Sequence, residues 1–165
     1  MGEVFVVNAS PVITLAKASH LALLTDLAET VLVPAAVVGE VLAGPESDPA
    51  RRALEGGWGT RVPVSHMPSV VLEWGLGAGE AEVIAVALEG RGRTAVLDDA
   101  QGRKCAHALG LPLIGTLGVV LRAKRLGRIT SAAEVLRDLQ EAGLHLDPQT
   151  IALALRRIAG EDWRP

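Results

Sequence analysis

The stretch from Gly77 to Asp99, GAGEAEVIAVALEGRGRTAVLDD, limits the fold of this chain more than any other. Its first half reads as a helix: Gly79 serves as the cap, Glu80 and Glu82 suit the positive end of the macrodipole, and Gly90 stops it after an apolar run. Its second half, Thr94 to Leu97, is short and uncharged, as a strand buried on both faces must be. Two carboxylates, Asp98 and Asp99, follow at once. In a parallel α/β sheet the helix N-termini and strand C-termini share one edge, and such folds bind ligands there. Glu80 is therefore expected to meet the Asp98/Asp99 pair. Acids gathered on one rim repel one another unless a cation lies between them, so these residues point to a divalent metal site.

The same alternation runs through the rest of the chain. Val4 to Val7 is a continuous apolar run ending at Asn8, with Ser10 as the expected cap and Pro11 as the first residue of the next helix. A short helix over Leu21 to Leu27 and a strand over Val31 to Val33 lead to a helix from Ala35 to Ala43 that carries Glu40. Glu46 to Glu55 is polar and then weakly helical, and Val62 to Val64 reads as an edge strand because Pro63 interrupts its ladder. Pro68 to Leu76 reads as a connector. Beyond Asp99 the pattern predicts a helix over Gln101 to Leu109, a strand at Leu113 and Ile114, and a helix over Leu117 to Leu126 opened by Gly115 and Thr116. Helices over Ala132 to Ala142 and Pro148 to Ala159 finish the chain, capped by Ser131 and Asp147. Strands alternating with helices predict a three-layer α/β/α domain with a mostly parallel sheet. Residues 1–165 read as one domain, whose C-terminal helices, about 131–160, either pack on the core or form a dimer surface.

Composition narrows the functions open to such a domain. With 165 residues and 49% hydrophobic side chains the chain can bury a substantial core, and with 2% aromatics that core is aliphatic. So few aromatics argue against a surface that binds bases by repeated aromatic stacking. A net charge of -3 gives no global sign of a nucleic-acid binder, so any RNA contact falls to a local basic patch. Arg103, Lys104, Arg122, Lys124 and Arg125 are the candidates. Cys105 is the only cysteine, which rules out an internal disulfide and a cysteine-based zinc cluster. The histidines His20, His66, His107 and His145 lack metal-ligand spacing. No basic segment followed by a long apolar one opens the chain, and no apolar run approaches the roughly 20 residues of a membrane span. A soluble cytoplasmic protein is expected.

With these residues placed, the chain resembles the PIN-like nuclease superfamily. The similarity is greatest to a branch of small prokaryotic proteins described as a domain of unknown function and grouped with toxin-antitoxin toxins. The pieces that carry the resemblance are VVNASPVITLAKA, VPAAVVGEVLAG, LGAGEAEVIAVALE, AVLDDAQGRKCAHALGL and LIGTLGVVLRAKRLG, which come in the family's order between Val4 and Gly127. The resemblance implies a Mg²⁺- or Mn²⁺-dependent single-strand ribonuclease with a cluster of acids. Glu40 and Glu80 match two of those acids, and Asp98 or Asp99 the last. The first acid falls on Asn8, and Ser10 matches the hydroxyl residue that supports it. Asn8 is the departure: an amide oxygen can ligate a cation but brings no charge. The resemblance also implies a small antitoxin partner covering the pocket, and a homodimer is expected.

Phosphodiester hydrolysis needs an activated water and a place for developing negative charge, and a cation held by carboxylates supplies both. On this reading Glu80 and Asp98 or Asp99 hold the metal, Asn8 completes the shell and Glu40 positions water or a second ion. Ser10, Thr116, Arg103, Lys104 and Arg122 are the candidate substrate contacts. Plainer roles stand beside these. Glu80 is also what a helix start favours, one of the two aspartates is expected to cap the following helix, and basic residues on helices are ordinarily solvated. Two rival functions follow. A phosphoacceptor receiver domain wants paired acids after the first strand and a Lys after the last, where this chain has Asn8 and Gly115-Thr116. A catalytically silent scaffold that binds RNA or a protein partner finds its best argument in Asn8.

Overall fold

The computed structural model describes residues 2–164. Five strands form one all-parallel sheet in the order β3-β2-β1-β4-β5: β1 (Val4–Val7), β2 (Thr30–Pro34), β3 (Thr60–Val62), β4 (Arg93–Val96) and β5 (Leu113–Ile114). β1 is central, with Val4 opposite both Thr30 of β2 and Arg93 of β4. Phe5, Val6 and Val7 are all fully buried although their side chains alternate between faces, so helices cover the sheet on both sides. The predicted three-layer α/β/α architecture is the observed one.

The helices are α1 (Ala9–Lys17), α2 (Ala22–Leu27), α3 (Ala35–Leu42), α4 (Pro49–Glu55), α5 (Ser69–Leu72), α6 (Ala78–Leu88), α7 (Ala100–Ala108), α8 (Thr116–Arg125), α9 (Ala132–Glu141) and α10 (Pro148–Ala154). A π-helical turn over Leu155–Ala159 extends α10, and Gly160, at φ 65°, ends it in the left-handed conformation that glycine adopts without strain. None of these helices is long and apolar enough to cross a membrane, among the described residues.

Local signals set most boundaries. Asp99, Ser131 and Asp147 cap α7, α9 and α10, accepting hydrogen bonds from the N–H groups of Gly102, Glu134 and Thr150. Two expected caps move. Asn8, not Ser10, stands at the N-cap of α1, and Gly77, not Gly79, stands at that of α6. The connector from Pro68 contains the single turn of α5, and β3 ends at Val62 because Pro63 offers no N–H to its neighbour. Chain order sets the functional edge. From β1 the chain moves outward to β2 and β3, then crosses back to β4 and moves the other way to β5. The strand order therefore reverses between β1 and β4, whose C-terminal tips carry Asn8 and Leu97-Asp98.

The C-terminal helices complete the core. Ala132, Ala133, Val135, Leu136 and Leu139 of α9 are buried, as are Ile151 and Leu155 after it. Cys105 is a fully buried small core residue, and burial raises its thiol pKa. The chain end is fastened by Glu161, whose carboxylate accepts from the N–H groups of Ala132 (2.9 Å) and Ala133 (3.2 Å) and from Ser131 Oγ (2.9 Å). Burial pushes this carboxyl up, but those hydrogen bonds and the Lys124 ammonium at 3.5 Å outweigh it and hold it below the ordinary carboxylate value. A depressed carboxyl contributes stability that is present above its unfolded value and lost as pH falls through the folded one. Acid titration below the usual carboxylate range is thus expected to release the tail, with Trp163 fluorescence as reporter. Glu161→Gln should lower stability by about 1–2 kcal/mol at neutral pH.

Candidate active site

Asn8 is the centre of the site. It is 2% exposed and caps α1 by backbone alone, at φ −84° and ψ 164°, so its side chain is free to turn elsewhere. Its Nδ2 donates to Glu80 Oε1 at 3.0 Å. Its Oδ1 is buried with no hydrogen-bond partner. Leaving a buried carbonyl oxygen unpaired costs about 1–3 kcal/mol, and native proteins rarely tolerate it without a use for the lone pairs.

Gly79 makes room for that oxygen. A Cβ at this position would lie 3.1 Å from Asn8 Oδ1, 3.1 Å from Glu40 Oε2 and 3.7 Å from Val37 Cγ2. Asn8 Oδ1 and Glu40 Oε2 thus face the same small space over the first turn of α6, and Glu80 follows Gly79 directly. Glu82 holds the two acid-bearing helices in register: its Oε2 accepts from Ala36 N at 2.6 Å, capping α3 from α6. The sequence alone assigns Glu82 to its own helix and Gly79 to a cap. The available signal is the GEAE spacing, since residues two apart on a helix do not share a face and reach different partners.

The two aspartates part company. Asp99 caps α7 through Oδ2, which accepts from Gly102 N at 2.7 Å. A Cβ on Gly102 would lie 3.4 Å from that oxygen and 3.6 Å from Glu80 Cγ, so Asp99 and the Glu80 stem flank Gly102. Asp98 is turned to the other side. Its Oδ1 accepts from Thr116 N at 2.7 Å and its Oδ2 from Thr116 Oγ1 at 2.5 Å, so it caps α8 across the tip of β5. Arg103 stands beside it: Nη1 donates to Leu97 O at 3.0 Å, and a Cβ on Gly115 would touch both Arg103 Nη1 and Asp98 Oδ1.

Among the described residues no three His, Cys, Asp or Glu side chains stand ready as a metal cage. Asn8 faces Glu80 where the resemblance implies an acid, and both oxygens of Asp98 are held by Thr116. The polar atoms that face the space over Gly79 are oxygens, Asn8 Oδ1 and Glu40 Oε2, with Glu80 held on the Asn8 amide. Oxygen donors with a buried, unpartnered carbonyl among them suit a hard divalent cation.

Two expected substrate contacts are corrected. Thr116 is fully buried with its hydroxyl on Asp98, so it positions that carboxylate and presents no surface to a substrate. Arg122 lies at the opposite edge of the sheet. Its Nη1 pairs with Glu3 Oε2 at 2.6 Å, and its guanidinium lies 5.9 Å from the centre of the Phe5 ring. The cause is helix direction, because α8 begins at the functional edge and its last turns reach the other one. Lys124 is likewise engaged by Thr130 O and Glu161. Ser10, in the first turn of α1, and Lys104, on α7, are exposed. Of the proposed basic rim, Arg103 and Lys104 remain on the helix that starts at the site.

Gly79→Ala separates site from scaffold. Alanine favours a helix by about 1 kcal/mol over glycine, which offsets the crowding. Glu40 is exposed and can swing away, whereas buried Asn8 cannot. Thermal stability is expected to change little, while Mn²⁺ affinity, read by calorimetry, falls about tenfold or more, since about 1.4 kcal/mol suffices.

A doubly wound parallel sheet with carboxylates and a buried amide oxygen at its switch point defines an α/β protein with an acidic, oxygen-lined site. The family is a single one: the chain belongs to the PIN domain family, whose model matches residues 4–160. PIN domains are generally nucleases, hydrolases that use divalent metals, so the chain is nuclease-like in class. No curated protein matches it. Two solved structures of pantothenate synthetase from Thermus thermophilus are similar at 18% identity, over 86% of this chain and 76% of theirs, with a TM-score of 0.32. So low a score bears on neither fold nor function.

Proposed function

We propose that this protein is a Mg²⁺- or Mn²⁺-dependent endoribonuclease acting on single-stranded RNA, the toxin of a toxin-antitoxin pair. One observation carries the reading: Asn8 Oδ1, buried and without a partner, faces the same space as Glu40 Oε2 while its amide holds Glu80. Glu80 and Asp99, with Asn8 Oδ1, would hold the cation, and Glu40, exposed and facing the same space over Gly79, would orient the attacking water. When bound, the cation supplies an activated water and neutralises charge developing on the phosphate. Asp98, fixed by Thr116, keeps the α8 N-terminus in place beside Arg103, and Arg103, Lys104 and Ser10 meet the RNA backbone. An antitoxin covering the acids, a homodimer and a cytoplasmic location belong to the same reading.

The test is cleavage of a labelled single-stranded RNA by purified protein in Mn²⁺, Mg²⁺ or EDTA, with double-stranded RNA alongside. Cleavage of the single strand restricted to the metal-containing samples is expected. A second reading, a catalytically silent scaffold, is favoured by the missing cage and by Asn8. RNA binding without cleavage in every metal selects it.

A further inference from the structure

A groove of about 450 Å³ opens beside the acids, between the start of α8 and the segment that joins α9 to α10. Leu117 and Leu121 of α8 form one wall, and Leu144 and Leu146 of the joining segment form the other. Asp98 and Arg103 also line it, so it opens at the C-terminal edge of the sheet, on the β5 side of the strand tip that carries Asp98. We propose that this groove receives one nucleobase of the single-stranded substrate, from a nucleotide whose phosphate meets Arg103. The proposal rests on the nuclease reading and adds to it the place where a base is held.

Size, charge and edge geometry select this occupant. A concave, mostly apolar space of a few hundred Å³ with a few polar groups is the form of a small-molecule site. A helix with its side chains is about 10–12 Å across and does not fit. An added peptide strand would find only Leu113–Ile114 of β5 to pair with, directly after Pro112. A base splayed out of a single strand buries its flat faces against aliphatic walls and keeps its polar edge for hydrogen bonds. Exposed His145 and Thr150 line the groove and can meet that edge. Arg103 enters none of the ion pairs among the described residues, which leaves its charge for the neighbouring phosphate.

Equilibrium binding tests this directly, with Ca²⁺ as the cation and two labelled RNA decamers of one sequence, one intact and one carrying abasic positions. The wild-type protein is expected to bind the intact strand about tenfold more tightly, the scale of burying one base-sized apolar surface. Leu146→Asn should bring that ratio to about one. Thr150→Glu alters an exposed residue, gives up the hydroxyl contact with Asp147 but keeps its N–H on that cap, and should do the same. A wild-type ratio near one, or variants that keep the wild-type ratio, overturns the proposal, including the case in which the groove takes a peptide instead. Base-dependent binding without metal-dependent cleavage supports the groove and overturns the catalytic reading; cleavage without base dependence does the reverse.

Discussion

Asn8→Asp is expected to make the stability of this protein depend on metal. In the native chain Asn8 Nδ2 donates to Glu80 Oε1 at 3.0 Å. An aspartate has no proton to give there at neutral pH, so two carboxylates would face each other at that distance in a site where residue 8 is 2% exposed. At an effective dielectric near 20 the bare repulsion is about 5 kcal/mol, and side-chain rotation and proton uptake reduce it to about 2–4 kcal/mol. For a domain of this size the midpoint in EDTA should fall by about 5–15 °C. The pH dependence has a definite sign. A carboxyl raised by a like charge contributes its stability at low pH and loses it as pH rises, so the variant should approach the parent at acid pH and depart from it towards pH 8. Added Mn²⁺ should restore much of the loss, because a cation between the carboxylates turns repulsion into coordination. Differential scanning fluorimetry across pH with and without Mn²⁺ checks it. A variant equally stable in EDTA at pH 5 and pH 8, and indifferent to metal, would mean that residues 8 and 80 do not share a cation site.

The same geometry explains what asparagine does at this position. It keeps the pocket folded without metal by donating to Glu80, and it leaves one buried oxygen aimed at the space over Gly79. Asn8→Asp should therefore also raise cleavage at limiting metal, since it restores charge to the donor set.

How much of this can be read from the chain depends on whether the cause is local. β1 stands where an uncharged run predicts a doubly buried strand, and the caps at Asp99, Ser131 and Asp147 are where side chains reach N–H groups three residues away. Long-range partners carry no such signal. Nothing near Asp98 says that Thr116 will occupy both its oxygens, and nothing near Glu82 says that it will cap α3. Asp98 and Asp99 are indistinguishable as neighbours in sequence, and only the chain's turn from β4 into α7 sends one to Thr116 and the other to Gly102. Arg122 is different, because its place follows from helix geometry alone. A helix opening at the functional edge advances about 1.5 Å per residue, so its last two turns cannot line the rim at which it starts.

Glu80→Gln should cost more activity than any other single exchange in the site, at almost no cost in fold. The new side chain keeps an oxygen in place to accept from Asn8 Nδ2, so the contact weakens from charge-assisted to neutral, by about 1 kcal/mol. Relief of repulsion from Glu40 and Asp99 on the same rim offsets part of that, and the melting midpoint in EDTA should stay within about 3 °C of the parent. What is lost is the charge next to Asn8 Oδ1, leaving two neutral amides where a divalent cation needs an anion. Metal-dependent cleavage is expected to fall about 10³-fold, equivalent to about 4 kcal/mol of transition-state stabilisation. RNA affinity should hold or rise, because a negative charge leaves the path of a phosphate. Parallel measurement of kcat/KM, RNA binding and melting separates the outcomes: activity within tenfold of the parent would remove Glu80 from the chemistry, and a joint loss of activity and stability would make it a structural residue.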